Sequence, residues 1–155
     1  MNAMIQSIYT PYQRIAEKMQ LLHPVAALLS RLYIAKVFFV AGWLKIQDWD
    51  TTLFLFEEEY QVPFLPFELA AYLGTAGELI FPVLLALGLA SRFAALGLTV
   101  VNIVAVISLA EIAPAALYLH VIWGVLLAQI VIYGAGFFSA DRFLKRHTEA
   151  SQTHS

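Results

Sequence analysis

Residues 74–88 read GTAGELIFPVLLALG, an apolar run that one carboxylate, Glu78, interrupts. Fourteen of these fifteen residues carry no charge. An ionised side chain in the hydrocarbon of a bilayer costs roughly 2.5–3.5 kcal/mol on insertion scales, so such residues usually face the protein interior and have a partner. The run therefore predicts a membrane-spanning helix, and Glu78 predicts a polar contact inside the protein.

The composition of the whole chain supports a membrane protein. Its 155 residues are 61% hydrophobic and 13% charged, whereas soluble domains are roughly half apolar and a quarter charged. The formal net charge of −2 gives no reason to expect nucleic acid as a partner. The sequence has no cysteine, which excludes disulfides and thiolate metal sites. Any redox role therefore needs a bound cofactor, a quinone or another subunit, and the cofactor stays unknown.

Four apolar segments predict an all-α membrane protein with a bundle of four transmembrane helices. They cover residues 25–44, 70–89, 93–110 and 115–135, each near the roughly 20 residues that a bilayer core needs. They form a membrane domain, 25–145, which a flexible cytoplasmic tail follows at 146–155. Residues 1–24 predict an N-terminal amphipathic helix that starts at Thr10-Pro11 and ends at His23-Pro24. It either lies in the cytoplasmic headgroup layer or is an ordinary exposed helix.

The distribution of charge predicts the orientation. Basic residues flank the predicted spans on one side: Arg14, Lys18, Arg31, Arg92, Arg142, Lys145 and Arg146. The long loop 46–69 has no Lys or Arg and is acidic. The positive-inside rule then places both termini in the cytoplasm and this loop outside. Because the loop is rich in aromatic residues but too short and acidic to span, we expect it to lie on the outer face or to dip between the helices.

Depth along the helices decides which polar groups can meet. At 1.5 Å per residue, Glu78 and Lys36 both lie about 12 Å below the outer ends of their spans, and His120 lies about 8 Å below. Lys45 stands at the outer rim and can bend downward. Glu78 is therefore expected to pair with Lys36 or Lys45. Such a pair serves as a register lock, as part of a ligand or quinone site, or as part of a proton or ion path.

Small and helix-breaking residues surround Glu78. Pro82 leaves the carbonyl of Glu78 without its helical hydrogen bond, so a lysine ammonium can serve both acceptors. Gly74 and Gly77 lie near the same face and allow either a close helix neighbour or room for a ligand. No metal site is expected near His120, because the other three histidines are placed on the cytoplasmic side.

The order of several motifs resembles the DoxX family of small bacterial four-span membrane proteins. Arg31 enters the first span, and AGWLKI (41–46) closes it. GTAGELI (74–80) supplies the acidic residue, GLASRFAALGL (88–98) turns into the third span, and GAGFFSADRF (134–143) closes the fourth. The family's closing motif commonly has proline and leucine where this chain has Ala135 and Ala140. The resemblance assigns no role to Lys36, so its pairing with Glu78 is expected from depth and charge alone.

The resemblance covers residues 25–145 and implies a multi-pass protein of the bacterial inner (plasma) membrane. Relatives are linked to quinone-coupled oxidation of sulfur compounds, to membrane complexes that handle oxidative stress, and to operons for peptide-modifying iron enzymes. Most members have no established reaction, so the resemblance implies a redox setting rather than a substrate.

These features together predict an accessory or quinone-interacting subunit of a membrane redox system, possessing or lacking catalytic activity of its own. A carboxylate and an imidazole beside a quinone can relay its protons. The pocket candidates are Glu78, Lys36, Lys45, Trp43, His120 and Asn102, and the structural candidates are Arg31, Pro82, Gly74 and Gly77. The alternative is a non-enzymatic membrane scaffold or small-solute transporter. Expected partners are membrane lipids, other membrane or peripheral redox subunits, and a second copy of the chain.

Overall fold

The computed structural model describes residues 3–145, and the side chains of 3–8, 15 and 16 are not part of that description. Within this range six helices follow one another: α1 Ala3–Gln20, α2 His23–Gln47, α3 Trp49–Glu58, α4 Phe67–Leu87, α5 Ser91–Ile107 and α6 Pro114–Tyr133. Residues 140–145, at the end of the described range, are also helical. In the described part of the chain the regular secondary structure is helical, and the one exception is an isolated backbone bridge between Tyr60 and Leu109. The predicted tail, 146–155, lies outside the described residues.

Among residues 3–145, three helices are long and apolar enough to cross a membrane. They are α2, α4 and α6, with 25, 21 and 20 residues. The third predicted span corresponds to α5, which is apolar but has only 17 residues, or about 25 Å at 1.5 Å per residue. Of the most apolar window of α6, only 11% is buried within the protein. A helix that leaves so much apolar surface uncovered is typical of one that faces lipid.

The long helices pack around α4. Helix α4 contacts α2, α3 and α5, and α6 packs against α5 and α2. Large apolar side chains from four helices form the core and are fully buried: Ile34, Leu85, Leu98 and Leu127. A second, smaller cluster lies at one end, where Phe56 of α3 packs against Ala70 and Ala71 of α4.

The predicted structured segment in loop 46–69 is helix α3 with the turn that follows it. Asp48 caps α3, because its carboxylate accepts hydrogen bonds from the backbone N–H and the hydroxyl of Thr51, at 3.1 and 2.7 Å. The hydroxyl and the N–H of Thr51 lower the pKa of Asp48 from its usual value. After α3, Gln61 N–H donates to Ser108 O at 2.8 Å, which joins this segment to the end of α5. We call this the α3 end of the molecule.

At the opposite end, the chain after α6 folds back onto the turn between α4 and α5. Gly88 ends α4 in the left-handed region with φ +70°, and Gly134 and Gly136 also have positive φ, which glycine adopts at little cost. Asp141 then accepts hydrogen bonds from the N–H groups of Ala90 and Ser91, at 2.7 and 2.9 Å. Residues 134–141, the closing loop, together with turn 88–90 define the α4–α5 end.

Arg31 contacts the closing loop through backbone carbonyls. Its side chain is 2% exposed and donates to Ala135 O and Phe138 O at 2.7 Å each, with a longer contact of 3.4 Å to Ala86 O. Three carbonyls that end helices or turns thus share one planar guanidinium. The fork geometry of arginine suits this task better than a lysine would.

Helix α1 differs from the predicted N-terminal helix at both ends. It begins at Ala3 and continues through Pro11, so Thr10 is not its N-cap; a proline inside a helix removes one hydrogen bond without ending the helix when the flanking turns hold. His23-Pro24 does not end it either. The chain turns at Leu21 and Leu22, and Pro24 stands in the first turn of α2, where a missing N–H costs nothing.

Candidate functional site

A cavity of about 1040 Å³ opens between α2, α4, α5, α6 and the segment after α3. Its walls are mostly apolar, and a few polar side chains stand among them: Lys45, Tyr60, Glu78, Ser108 and His120. Ligand pockets commonly measure about 300–1,000 Å³ and combine apolar walls with a few placed polar groups. This Glu78 cavity has the character expected for a lipophilic molecule with a polar head.

The carboxylate of Glu78 pairs with Lys45. The distance from Lys45 Nζ to Glu78 Oε2 is 2.5 Å, and the two side chains are 22% and 11% exposed. Gly42, one turn before Lys45, makes the approach possible, because a Cβ on Gly42 would lie 2.8 Å from Glu78 Cβ. Helices α2 and α4 therefore touch at Gly42, and the lysine reaches from the end of α2 toward the middle of α4.

Lys36 does not belong to this site, and its placement in the pocket is corrected here. Lys36 is exposed and lies outside the lining of the cavity. Residues 31, 34, 35, 38 and 42 form the buried face of α2. At 100° per residue, position 36 lies about 120° around the helix from position 42, whereas position 45 lies about 60° from it. Of the two lysines that the sequence left open as partners of Glu78, the structure therefore places Lys45 in contact with it.

His120 and Asn102 form a second polar group at the cavity wall. Asn102 Nδ2 donates to His120 O at 2.9 Å, which leaves Asn102 Oδ1 as an acceptor facing His120 Nδ1 at 2.8 Å. Nδ1 then carries the proton, and Nε2 of the neutral imidazole is an acceptor. His120 lines the cavity, whereas Asn102 is buried behind it and orients the ring.

Trp43 also lies outside the cavity, contrary to the sequence-based expectation. It is 48% exposed and stacks on Phe39, with ring centroids 6.2 Å apart. The tryptophan at the cavity wall is Trp123, which contacts His120 edge to face at 4.9 Å and donates to Tyr33 Oη at 3.3 Å. An exposed tryptophan near a helix end is typical of a membrane interface.

The predicted small residues and Pro82 lie around Glu78 on α4. Gly74 and Gly77 both line the cavity. A Cβ on Gly74 would make ordinary contact with Phe56 at 3.5 Å, whereas one on Gly77 would crowd a methyl of Val101 at 3.0 Å. Gly77 thus serves close packing of α4 against α5, and Gly74 leaves space. Pro82 is fully buried in α4, one turn after Glu78.

Tyr60, just after α3, is a wall residue that the sequence did not single out. It lines the cavity and packs edge to face on Phe56, with centroids 5.0 Å apart. Burial, with the nearby charges of Glu59 and Glu78, raises the pKa of Tyr60 above its usual value. The phenol therefore stays protonated and can donate a hydrogen bond. The abundance of aromatic residues in loop 46–69 is the feature of the sequence that could have predicted a wall residue there.

The described residues hold no group of three His, Cys, Asp or Glu side chains that could bind a metal ion. Glu78 pairs with Lys45, and His120 pairs with Asn102. Such an arrangement can orient a polar head and exchange protons with it.

A comparison with models of known protein families finds one match. A family model described as DoxX matches residues 26–111, more than half of the chain. A protein from Haemophilus influenzae, whose printed name is "Uncharacterized protein", is 30% identical over 131 residues, which cover 79% of this chain and 85% of that protein. No solved structure matches. The family match covers α2 to α5, and with them Lys45, Glu78 and Asn102.

Proposed function

The chain belongs to the DoxX family, and we propose that it is an accessory subunit of a membrane redox system that holds a quinone or a similar lipophilic molecule in the Glu78 cavity. The observation that carries the proposal is that the Lys45–Glu78 pair and His120 line one largely apolar cavity. A quinone offers two carbonyl acceptors on an apolar ring. The ammonium of Lys45 and the phenol of Tyr60 are donors that such carbonyls can accept from.

Reduction of a bound quinone takes up two electrons and two protons and yields the quinol. In this proposal a partner redox subunit, bound to the membrane or to its surface, supplies the electrons. Nε2 of His120 and the carboxylate of Glu78 first each take up a proton from water at the α3 end, and each then passes it to one quinone oxygen. The chain supplies binding, orientation and proton transfer, while the electron chemistry resides in the quinone and in the partner.

Binding can be measured through tryptophan fluorescence, because the chain has three tryptophans and one lines the cavity. In a Trp43→Phe/Trp49→Phe protein, Trp123 alone reports. A short-chain quinone titrated into this protein in detergent is expected to quench Trp123 in a saturable manner. Gly74→Leu fills the cavity and should weaken binding, whereas Val83→Leu adds bulk on the exposed side of the same helix and should not. Quenching that does not saturate, or that Gly74→Leu leaves unchanged, would refute the proposal.

The competing proposal is a non-enzymatic scaffold or small-solute transporter in which Glu78 is a lock or gate. The direct contact between Lys45 and Glu78 favours it, because each charge already has its partner. Glu78→Gln separates the two. Under both proposals the variant loses the contact with Lys45 and some thermal stability in detergent. Only a proton-relay site also loses the pH dependence of the quinone reaction.

We also propose four spans, with both termini in the cytoplasm of a bacterium and the α3 end outside. The short helix α5 lies between α4 and α6 and contacts both, so it crosses with them where the bilayer thins locally or the adjoining turns extend it. The exposed Tyr9, Tyr12 and Met19 of α1 suit a helix on the cytoplasmic surface.

The cysteine-free sequence offers a clean test of this orientation. Single cysteines at Glu58→Cys and Arg142→Cys should react with a membrane-impermeant maleimide from opposite sides in intact cells. Glu58→Cys is expected to react from outside, and Arg142→Cys only after the membrane is opened. The reverse pattern, or equal labelling of both, contradicts the topology.

A further inference from the structure

A second pocket, of about 750 Å³, lies at the α4–α5 end, far along the helices from the Glu78 cavity. The closing loop, the start of α2, the start of α5 and the end of α6 form its walls. Its charged and titratable lining residues are His23, Arg92, Asp141, Arg142 and Lys145. We call it the Arg92 pocket.

The charge balance of the Arg92 pocket is positive. Asp141 is the acid in its lining, and both of its carboxylate oxygens accept backbone N–H groups of the α4–α5 turn, at 2.7 and 2.9 Å. The basic side chains in the lining are Arg92, Arg142 and Lys145. Basic side chains therefore outnumber the one carboxylate, whose oxygens face the backbone of the turn.

Two of these cations are held in place by the fold. Arg92 donates one N–H to Ile132 O at 3.2 Å, at the last turn of α6, and a guanidinium has five N–H donors in all. The guanidinium carbon of Arg142 stands 4.0 Å from the centre of the Phe137 ring, which is a cation–π contact. Both side chains are exposed, so their remaining donors can reach a ligand.

The position of the pocket indicates the kind of anion. It lies where α2 begins and α6 ends, and both are candidate membrane spans. The headgroup layer of a bilayer is found at that level. Tyr133 and Phe137, which line it, are 69% and 47% exposed and suit an interface. A small soluble anion would make no contact with these exposed aromatic side chains, whereas the acyl chains of a lipid would pack along them.

We propose that the Arg92 pocket binds the phosphate-bearing headgroup of an anionic phospholipid, with Arg92 and Arg142 as the principal contacts. Basic pockets between membrane helices on the cytoplasmic side are suited to such headgroups. The proposal rests on the placement of the chain in a membrane and is independent of any ligand in the Glu78 cavity. A bound lipid would tie α2, α6 and the closing loop together.

Native mass spectrometry of the full chain in mild detergent tests the proposal. The probes are phosphatidylglycerol, phosphatidylcholine with the same acyl chains, and inorganic phosphate. Phosphatidylglycerol should bind more tightly than phosphatidylcholine. A surface charge near anionic lipid is worth about fivefold in affinity, so Arg92→Gln/Arg142→Gln should weaken phosphatidylglycerol binding roughly thirtyfold.

The matched control removes two exposed basic residues of α1 instead, in Arg14→Gln/Lys18→Gln, for the same change in net charge. It should leave the affinity unchanged. Equal loss in both double variants, no preference for phosphatidylglycerol, or phosphate binding as tightly as the lipid would overturn the proposal. If Arg92→Gln disturbs the fold, Arg142→Gln alone carries the test, with a roughly fivefold loss expected. The quinone titration of Trp123 in the same variants should not change, which keeps the two proposals separable.

Discussion

The contact between Lys45 and Glu78 can be tested by removing the lysine charge while keeping much of the length of its side chain. Lys45→Met leaves Glu78, whose side chain is 11% exposed, without the cation that it contacts. Breaking a buried ion pair by removing one partner costs about 3–5 kcal/mol. We expect the lower end, about 3 kcal/mol, because the side chain of Lys45 is 22% exposed and water reaches that side of the pair.

The two partners should not respond equally. Glu78 lies in the middle of α4 and cannot leave the interior, whereas Lys45 lies two residues before the end of α2 and can turn its ammonium outward. Glu78→Gln should therefore cost only about 1.5 kcal/mol, the value of one hydrogen bond to a charged group. Replacing both residues, in Lys45→Met/Glu78→Leu, should return the stability to within about 1 kcal/mol of the native chain.

The free energy of unfolding can be measured by SDS titration of the protein in mixed micelles, followed by circular dichroism. Lys36→Met is the matched control, since it makes the same change on the exposed face of the same helix, and its effect should stay within about 0.5 kcal/mol. The reasoning fails if Lys36→Met and Lys45→Met cost the same, or if the losses of Lys45→Met and Glu78→Leu simply add in the double variant.

Three further substitutions test the packing around the site and at the α4–α5 end, all by the same SDS titration. Asn102→Ala removes two hydrogen bonds to His120 and should cost about 2 kcal/mol; an unchanged stability would contradict the described pairing. Arg31→Lys keeps the charge but cannot reach both Ala135 O and Phe138 O, so a loss of about 2 kcal/mol is expected, and no loss would mean that the fork is dispensable. Gly88→Ala places a Cβ on a residue with φ +70°, only 2.9 Å from Ser139 Cα in the closing loop. The substitution should cost more than about 1 kcal/mol, and an unchanged stability would refute the close contact between turn and loop.

The membrane character of the chain and the positions of its long helices could be predicted from the sequence, because apolar runs of about 20 residues are typical of membrane-spanning helices. The bounds of α2, α4 and α6 lie within three residues of the predicted spans. Helix α5 ends at Ile107, three residues before the predicted end. The sequence remains apolar there, but Ser108 turns its hydroxyl onto Val104 O and its carbonyl accepts Gln61 N–H. Composition does not show such a competing contact.

Depth along the helix left Lys36 and Lys45 as alternative partners of Glu78. The rotation around the helix axis distinguishes them. The buried residues of α2 at 31, 34, 35, 38 and 42 form a stripe that position 45 continues and position 36 does not. Helical periodicity was therefore sufficient to select Lys45.

Other parts of the site could not be predicted from the sequence. The pairing of His120 with Asn102 joins α6 to α5. The sequence pattern of either helix does not predict which face of α5 contacts α6. Arg31 and the closing loop are more than one hundred residues apart in the sequence. Both belong to motifs that carry the family resemblance, but the resemblance did not predict their contact. Long-range contacts of this kind depend on how the helices pack, which a single sequence leaves open.

The most direct test of the central claim is to map where a quinone binds. A short-chain quinone carrying a photoactivatable group is cross-linked to the protein in lipid nanodiscs, and the labelled residues are identified by mass spectrometry. We predict labels on the cavity walls of α5 and of the segment after α3, such as Val101, Val104 and Tyr60, that excess unlabelled quinone removes. Labels confined to exposed residues of α6, such as Ile122 and Val125, and insensitive to that excess, would contradict the account.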